Sequence, residues 1–234
     1  MLDEREYVDK VIEKLAPYAN PEAAPAIEGY MKNQFKVLGL RAPQVQKATK
    51  DLFRELGLPD KKQLPSVVKD LWALPEREYQ YVAVSILTKM APDFVQEDIS
   101  LLEYVITHKP WWDTIDAIAK NPVGDYFVKF PHLMESQVEE WVSSGNMWLA
   151  RSAILCQLGW KQHTREDILF RVIEWCMDER YVDPKEFFIR KAIGWALREY
   201  SKTNPERVVE FVQTHPGLSG LSKREALKVV QRKS

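Results

Sequence analysis

Hydrophobic residues recur every three or four positions along nearly the whole chain, as they do on the buried face of an α-helix. Val8, Val11 and Leu15 follow this spacing near the start, and Leu102 and Ile106 repeat it further along. The two-residue alternation of a half-buried strand does not extend over a useful length, and the sequence has no Asn-Gly hairpin signal. The pattern therefore predicts an all-α protein.

Prolines and capping residues divide this pattern into about a dozen predicted helices joined by short loops. Asn20 is expected to cap the helix that Pro21 opens. Pro21 and Pro110 are both placed at a first helical position, where the ring fixes a favourable φ and the missing N–H is not needed. Gly57 is expected to end the third helix. The predicted helices cover residues 3–16, 21–32, 43–56, 62–73, a long segment from Pro75, 97–108, 110–120, 122–130, 133–143, 146–158, 165–178, 184–200, 205–214 and 222–232.

Two arrangements suit such a series of helices, a compact bundle and a stacked array of helix pairs. Consecutive helices group into about six pairs, the first of which joins residues 3–16 to residues 21–32, with periods of roughly 35–47 residues as in HEAT-like repeats. Such pairs stack into a solenoid with a concave face. Internal sequence similarity is weak, so only the lengths and spacing of the predicted helices support a solenoid. A compact bundle is therefore still an alternative. We treat residues 1–234 as a single domain.

Composition narrows the class of protein. Of the 234 residues, 45% are hydrophobic and 29% charged, and no apolar run approaches the roughly 18–20 residues of a membrane span. The N-terminal segment is acidic and unlike a signal peptide, so we expect a cytoplasmic protein without a membrane partner. Cys156 and Cys176 lack metal-type spacing and the four histidines are scattered, so we expect no metal and no other cofactor. With no coiled-coil pattern, we expect a monomer.

The net charge of −1 conceals an uneven distribution. Residues 185–234 carry 11 Lys and Arg against 5 Asp and Glu, and residues 31–54 carry six against one. Two basic segments at opposite ends of an otherwise acidic chain are suited to clamping a polyanion such as DNA. Charge is also uneven in many proteins that have no such partner, so both explanations stay open.

Aromatic and charged residues share a face on the second helix of three successive pairs. Trp112 and Asp116 are four residues apart and Trp148 and Arg151 are three apart, so the members of each couple lie about one turn from each other. The same combination recurs in Lys191, Trp195 and Arg198, and Tyr30 extends it near the start. If second helices line one surface, these faces form a strip of aromatic rings and cations suited to a DNA backbone.

Asp116 is the exception in this strip, because a carboxylate facing phosphates weakens binding unless a cation develops beside it. An adjacent indole would add a cation–π contribution of roughly 0.5–2 kcal/mol to such a cation. Asp116 is therefore the candidate reactive residue. One alternative is a structural ion pair between Asp116 and Arg151, which at a surface would contribute only about 0–1 kcal/mol. Another is that Trp111 or Trp112 packs into the core while the neighbouring aspartates face solvent.

Six short segments are arranged along the chain as they are in a known family. They are 30–35 (YMKNQF), 71–78 (LWALPERE), 111–113 (WWD), 148–151 (WLAR), 191–195 (KAIGW) and 221–226 (LSKREA). In these segments the chain resembles the AlkD family of bacterial DNA glycosylases, which remove alkylated purines. The resemblance runs over almost the whole chain, and the order and spacing of the segments match with few gaps.

The resemblance implies a HEAT-like solenoid whose concave face holds duplex DNA. It implies that Asp116 is the catalytic carboxylate and that Arg151 is its partner. Trp112 and Trp195 then correspond to the active-site indoles, and Tyr30 to an aromatic residue of the DNA-facing surface. The other residues expected to contact DNA are Lys32, Arg41, Lys47, Trp148, Lys191, Arg198, Lys223 and Arg224.

The implied activity is hydrolysis of the N-glycosidic bond of cationic N3- and N7-alkylpurines, without base flipping, by a monofunctional glycosylase of base excision repair. Asp116 would stabilise the oxocarbenium-like sugar and position or deprotonate water, while Arg151 would hold a neighbouring phosphate. Ala42 departs from the family, which often has a hydroxyl residue there, and this puts one backbone contact in doubt. The alternative function is a non-catalytic HEAT-repeat module that binds DNA or protein.

Overall fold

The computed structural model of the chain describes residues 2–231. Within this range it contains fourteen α-helices and no β-strand, which confirms the all-α prediction, and none of the helices is long and apolar enough to cross a membrane. The helices are α1 (Glu4–Leu15), α2 (Ala24–Tyr30), α3 (Ala42–Leu56), α4 (Leu64–Ala73), α5 (Arg77–Met90), α6 (Ile99–Thr107), α7 (Trp112–Ile118), α8 (Gly124–Lys129), α9 (Met134–Ser143), α10 (Met147–Leu155), α11 (Glu166–Cys176), α12 (Phe187–Tyr200), α13 (Pro205–Thr214) and α14 (Gly220–Leu227).

The chain divides into two compact units, and the boundary between Leu101 and Leu102 falls inside α6. In the first unit, α1 packs mainly against α3 and α4, and α5 packs against the same two helices. The predicted pairing of residues 3–16 with residues 21–32 is therefore wrong. Asn20 accepts hydrogen bonds from the backbone N–H groups of Glu22 and Ala23, as a helix cap would, but residues 21–23 form a turn and α2 begins only at Ala24.

A buried carboxylate fixes the loop between α2 and α3. Glu78, in the first turn of α5, accepts three consecutive backbone N–H groups, those of residues 38–40, at 2.8–3.0 Å. A buried charge is tolerated when hydrogen bonds of this kind satisfy it. The preceding residue, Arg77, is also buried and places its guanidinium carbon 3.8 Å from the centroid of the Phe35 ring. Adjacent residues of α5 thus hold two parts of the loop, its middle and the segment before α3.

In the second unit, the second helices of successive pairs contact one another in order. Helix α7 contacts α10, α10 contacts α12, and α12 contacts α14, while α9 contacts α11 in the other layer. This ladder is the arrangement of stacked helix pairs rather than of a compact bundle. The helices that carry the aromatic and charged faces, α7, α10 and α12, are therefore neighbours, as the predicted pairing of helices implies.

Several helix ends of the second unit differ from the prediction. Pro110 precedes α7 instead of opening it, because Trp111 is an extended N-cap residue with φ −159°. Helix α12 begins at Phe187, three residues beyond the predicted Pro184. Helix α14 ends at Leu227. The predicted end of that last helix, Arg232, lies outside the described residues.

Gly39 provides a test of the loop that Glu78 fixes. Its φ is +90°, and a Cβ atom at this position would lie 2.1 Å from the carbonyl oxygen of Asn20. We expect Gly39→Ala to lower the free energy of unfolding by about 1–3 kcal/mol, since both strain and overlap oppose the methyl group. The matched control is Gly29→Ala in α2, where a Cβ meets no atom within 4 Å and should stabilise by about 0.5–1 kcal/mol. Urea unfolding of both variants measures the difference, and equal midpoints would contradict the prediction.

Candidate active site

Asp116 and Arg151 form an ion pair that joins α7 to α10. Arg151 donates from Nε to Oδ1 of Asp116 at 2.8 Å and from Nη2 to Oδ2 at 2.9 Å, so both carboxylate oxygens are engaged. Arg151 is 3% exposed, whereas the Asp116 side chain keeps 19% of its exposure. An enclosed cation therefore fixes the position and orientation of a carboxylate that is partly open.

Phe188, in the first turn of α12, is the third member of this contact. Its backbone carbonyl accepts a hydrogen bond from Nη1 of Arg151 at 2.5 Å, and its ring centroid lies 5.7 Å from the guanidinium carbon. The pair thereby links α7, α10 and α12. A phosphate contact by Arg151, which the resemblance implies, would require this arrangement to open. The observed geometry instead makes Arg151 the residue that holds Asp116.

Burial raises the pKa of Asp116 above the usual range of an aspartate, and this desolvation is the largest influence on it. The hydrogen bond and positive charge of Arg151 act in the opposite direction, and the charge of Asp113 raises the pKa further. The carboxylate thus lies in a weakly solvated place, where its attraction for a nearby cation is stronger than in bulk water.

Three aromatic rings pack together beside the ion pair. The Trp148 ring lies 5.0 Å from that of Phe188 and 6.0 Å from that of Trp111, and the Trp111 and Phe188 rings meet edge to face at 5.5 Å. The Nε1 atom of Trp111 is buried and has no hydrogen-bond partner among residues 2–231. Trp111 is therefore an inward-packing tryptophan, while Asp116 faces Arg151 instead of bulk solvent. A DNA contact by the half-buried Trp148 stays a prediction.

The two indoles expected in the active site lie on the helices that the ion pair connects. Trp112 is the first residue of α7, one turn before Asp116, and Trp195 is on α12, which also carries Phe188. Both side chains are half-buried. The second unit therefore brings the carboxylate, its partner and both indoles onto three neighbouring helices.

The residues expected to contact DNA are divided between the two units. In the first unit, Tyr30 is 70% exposed, and Lys32, Arg41 and Lys47 are exposed as well. Lys32 adopts a left-handed backbone conformation with φ +57°. Their contact with DNA stays a prediction.

Cations of α12 and α14 in the second unit have protein partners. Lys191 and Arg198 both pair with Glu225 on α14. Lys223 donates to a backbone carbonyl at 2.9 Å, and Arg224 is exposed. Glu225 and Phe188 are the two residues of this region that the sequence patterns did not indicate. Phe188 acts through its backbone carbonyl, and the adjacent pair of phenylalanines that opens α12 was the one signal that could have found it.

Neither cysteine has the properties of a nucleophile. Cys156 and Cys176 are buried, and burial raises the pKa of each thiol to about 12, so both are protonated near neutral pH. Among the described residues, no group of three or more His, Cys, Asp or Glu is placed to hold a metal ion.

Two comparisons with known proteins both find similarity to DNA alkylation repair enzymes. Residues 11–230 match the family model described as DNA alkylation repair enzyme. A solved structure titled "Predicted DNA alkylation repair enzyme from Enterococcus faecalis" is 34% identical to the chain, with a TM-score of 0.81. The match covers 89% of this chain and 95% of that one. No curated protein matches the chain in sequence.

Replacing Arg151 tests the buried pair. We expect Arg151→Met to lower the free energy of unfolding by about 3–5 kcal/mol at neutral pH, since it leaves the Asp116 carboxylate unpaired. The matched control is Arg171→Met, which removes a surface pair with Glu135 and should change stability by at most about 1 kcal/mol. Denaturant unfolding of both variants provides the measurement.

The pH dependence of the same variant gives a second readout. Without Arg151, the pKa of Asp116 in the folded protein rises further above its unfolded value. The folded state then binds a proton more tightly than the unfolded state. Stability of Arg151→Met should therefore be lost as pH rises from the unfolded pKa, roughly 3.9, to the raised folded pKa. A defect of equal size at acid and neutral pH would contradict this account.

Proposed function

Because the chain belongs to the DNA alkylation repair enzyme family, we propose that it is a DNA glycosylase for purines that carry a positive charge after alkylation at N3 or N7. The family supports a role in DNA repair. The proposed reaction is hydrolysis of the N-glycosidic bond in duplex DNA. Water is the second substrate, and the products are the free alkylated base and an abasic site.

One observation carries this proposal. The carboxylate of Asp116 is partly exposed, and the enclosed Arg151 donates a hydrogen bond to each of its two oxygens. Alkylation makes the purine a good leaving group. As its bond to C1′ breaks, the deoxyribose gains positive charge of the oxocarbenium type. A fixed carboxylate beside the sugar stabilises that charge without reorganising, which is the most effective form of electrostatic catalysis.

The neighbouring residues have supporting roles in this mechanism. Arg151 keeps Asp116 oriented, and its charge favours the ionised form of the carboxylate against desolvation. The same carboxylate positions or deprotonates the attacking water. Trp112 and Trp195 flank the sugar and add cation–π attraction to the developing charge. Because the carboxylate acts on the sugar, the lesion does not have to be flipped into a pocket.

Basic residues of both units are proposed to hold the DNA backbone. Their phosphate contacts would make affinity fall steeply with salt concentration. The residues are Lys32, Arg41, Lys47, Lys191, Arg198, Lys223 and Arg224, with Tyr30 as an exposed aromatic residue that packs against a sugar. We further propose that the protein acts as a monomer.

Removing the charge of Asp116 is the direct test. We expect Asp116→Asn to release 7-methylguanine from a duplex about 10²–10³-fold more slowly than the wild type, while DNA binding is retained or tightened. The control is Asp167→Asn, which makes the same change at an exposed residue of α11 and should leave the rate unchanged. Abasic-site formation is measured in single turnover with one 7-methylguanine per duplex. Equal rates for wild type and Asp116→Asn would place the reactive group elsewhere. If neither excises the base, the protein is a binding module.

The pH–rate profile tests the ionisation of Asp116. Excision needs the carboxylate, so the rate should fall as pH decreases through its raised pKa. Asp113→Asn removes a negative charge that raises this pKa, so the acid limb of the variant should move to lower pH. Because the alkyl group itself confers the positive charge of the 7-methylguanine substrate, that charge does not change along the acid limb. Asp167→Asn serves again as control and should not move the limb. A shift to higher pH in Asp113→Asn would contradict the assignment.

A further inference from the structure

Helices α12 and α14 approach each other closely at a glycine. A Cβ atom at Gly194 would lie 2.6 Å from the Cβ of Glu225 and 3.2 Å from backbone atoms of Ser222. The Ser222 hydroxyl also donates to the carbonyl of Arg190 at 2.9 Å, which fixes the crossing. Because Gly194 has no side chain, the first carbon of the Glu225 side chain rests directly on the middle of α12.

This placement lets one carboxylate bind two cations of α12. Lys191 lies three residues before Gly194 and Arg198 four residues after it, so they stand about one turn to either side of it. Lys191 Nζ lies 3.0 Å from Oε1 of Glu225, and Arg198 Nη1 contacts Oε2. Each oxygen therefore holds one cation, and Trp195 lies between the two cations in sequence on the same helix. The hydrogen bond from Lys191 is the main influence that lowers the pKa of Glu225.

The bridge is held by groups that remain accessible. The side chains of Lys191 and Arg198 keep 38% and 25% of their exposure, whereas that of Glu225 keeps 14%. Ion pairs that stay partly open to solvent are weak, so their members exchange partners readily. Two cations held by two oxygens of one anion is also an arrangement in which a phosphate group is bound. Lys228 adds a third positive charge near the same carboxylate.

We propose that Lys191 and Arg198 form a phosphate clamp that Glu225 occupies in the free protein and that a DNA backbone phosphate takes over in the complex. The proposal rests on the proposed function, since it requires duplex DNA as the partner. In the free protein Glu225 binds both long side chains. When DNA arrives, the phosphate competes with Glu225 for the same two cations. Glu225 therefore lowers the affinity for DNA.

The sign of this effect separates the clamp from a purely structural bridge. Glu225→Gln removes the competing charge and keeps the size of the side chain. We expect it to bind a short undamaged duplex more tightly, with a salt slope steeper by about 1, which corresponds to roughly 8-fold in Kd at 0.1 M salt. A structural bridge predicts the reverse, because its loss would free the cations to move and weaken binding.

The measurement is fluorescence anisotropy of a labelled undamaged duplex across a salt series. The matched control is Glu210→Gln, which removes an exposed carboxylate paired with Arg207 on α13 and changes the net charge equally. It should alter Kd much less than Glu225→Gln does. In a Lys191→Gln, Arg198→Gln background, Glu225→Gln should give no gain. An unchanged or weaker affinity of Glu225→Gln, or an equal gain from Glu210→Gln, would overturn the proposal.

Two further readouts complete the test. Lys191→Gln alone should make the salt slope shallower by about 1, and an unchanged slope would overturn the clamp even if Glu225→Gln does not fold. Excision of 7-methylguanine is followed in parallel. Excision that depends on Asp116, without any effect of Glu225 on binding, would refute the clamp alone. A Glu225 effect on binding without excision would refute the glycosylase alone, and a wild type that does not bind duplex DNA would refute both.

Discussion

The contact between Asp116 and Arg151 is the constraint on which the second unit depends. Through it and the carbonyl of Phe188, three successive second helices share one set of hydrogen bonds. A buried ion pair adds little stability compared with a well-packed apolar contact, but either partner alone would be strongly unfavourable. The pair therefore acts mainly on geometry. The interaction that sets the register of α7, α10 and α12 also orients the carboxylate proposed to act on DNA.

Much of the fold could be predicted because a helix is encoded locally. The three- and four-residue spacing identified each helix, and every predicted start lies within three residues of an observed one. The errors concern the exact start of two helices and the pairing of another. Asn20 has the residue type of a helix cap, yet the chain uses it in a turn. Pro110 suits a helix start, but the extended backbone of Trp111 delays the helix. The pairing of α1 depends on packing, which has no local signature.

The candidate site was predictable to the extent that its members share helix faces. Trp112 and Asp116 are one turn apart in any α-helix, so their proximity follows from spacing. The partnership of Asp116 with Arg151 was open to two explanations, and the bidentate geometry now supports an orienting role. The contribution of Phe188 uses a backbone atom that every residue possesses. That of Glu225 depends on how closely α14 approaches Gly194, a property of two helices together.

The way Glu78 holds the loop between α2 and α3 determines which positions of the first unit can accept substitutions in evolution. Its anchor uses only main-chain N–H groups, 38 to 40 positions away in the sequence. The exposed side chains of the loop, such as that of Lys32, are not part of this anchor, whereas Phe35 against Arg77, the buried Leu40 and Gly39 are constrained by their surroundings. Residues at the exposed positions of the loop can be exchanged while the backbone path persists. Glu78, on another helix, determines the backbone shape of the loop. The exposed surface of the loop can therefore vary in sequence without loss of the fold.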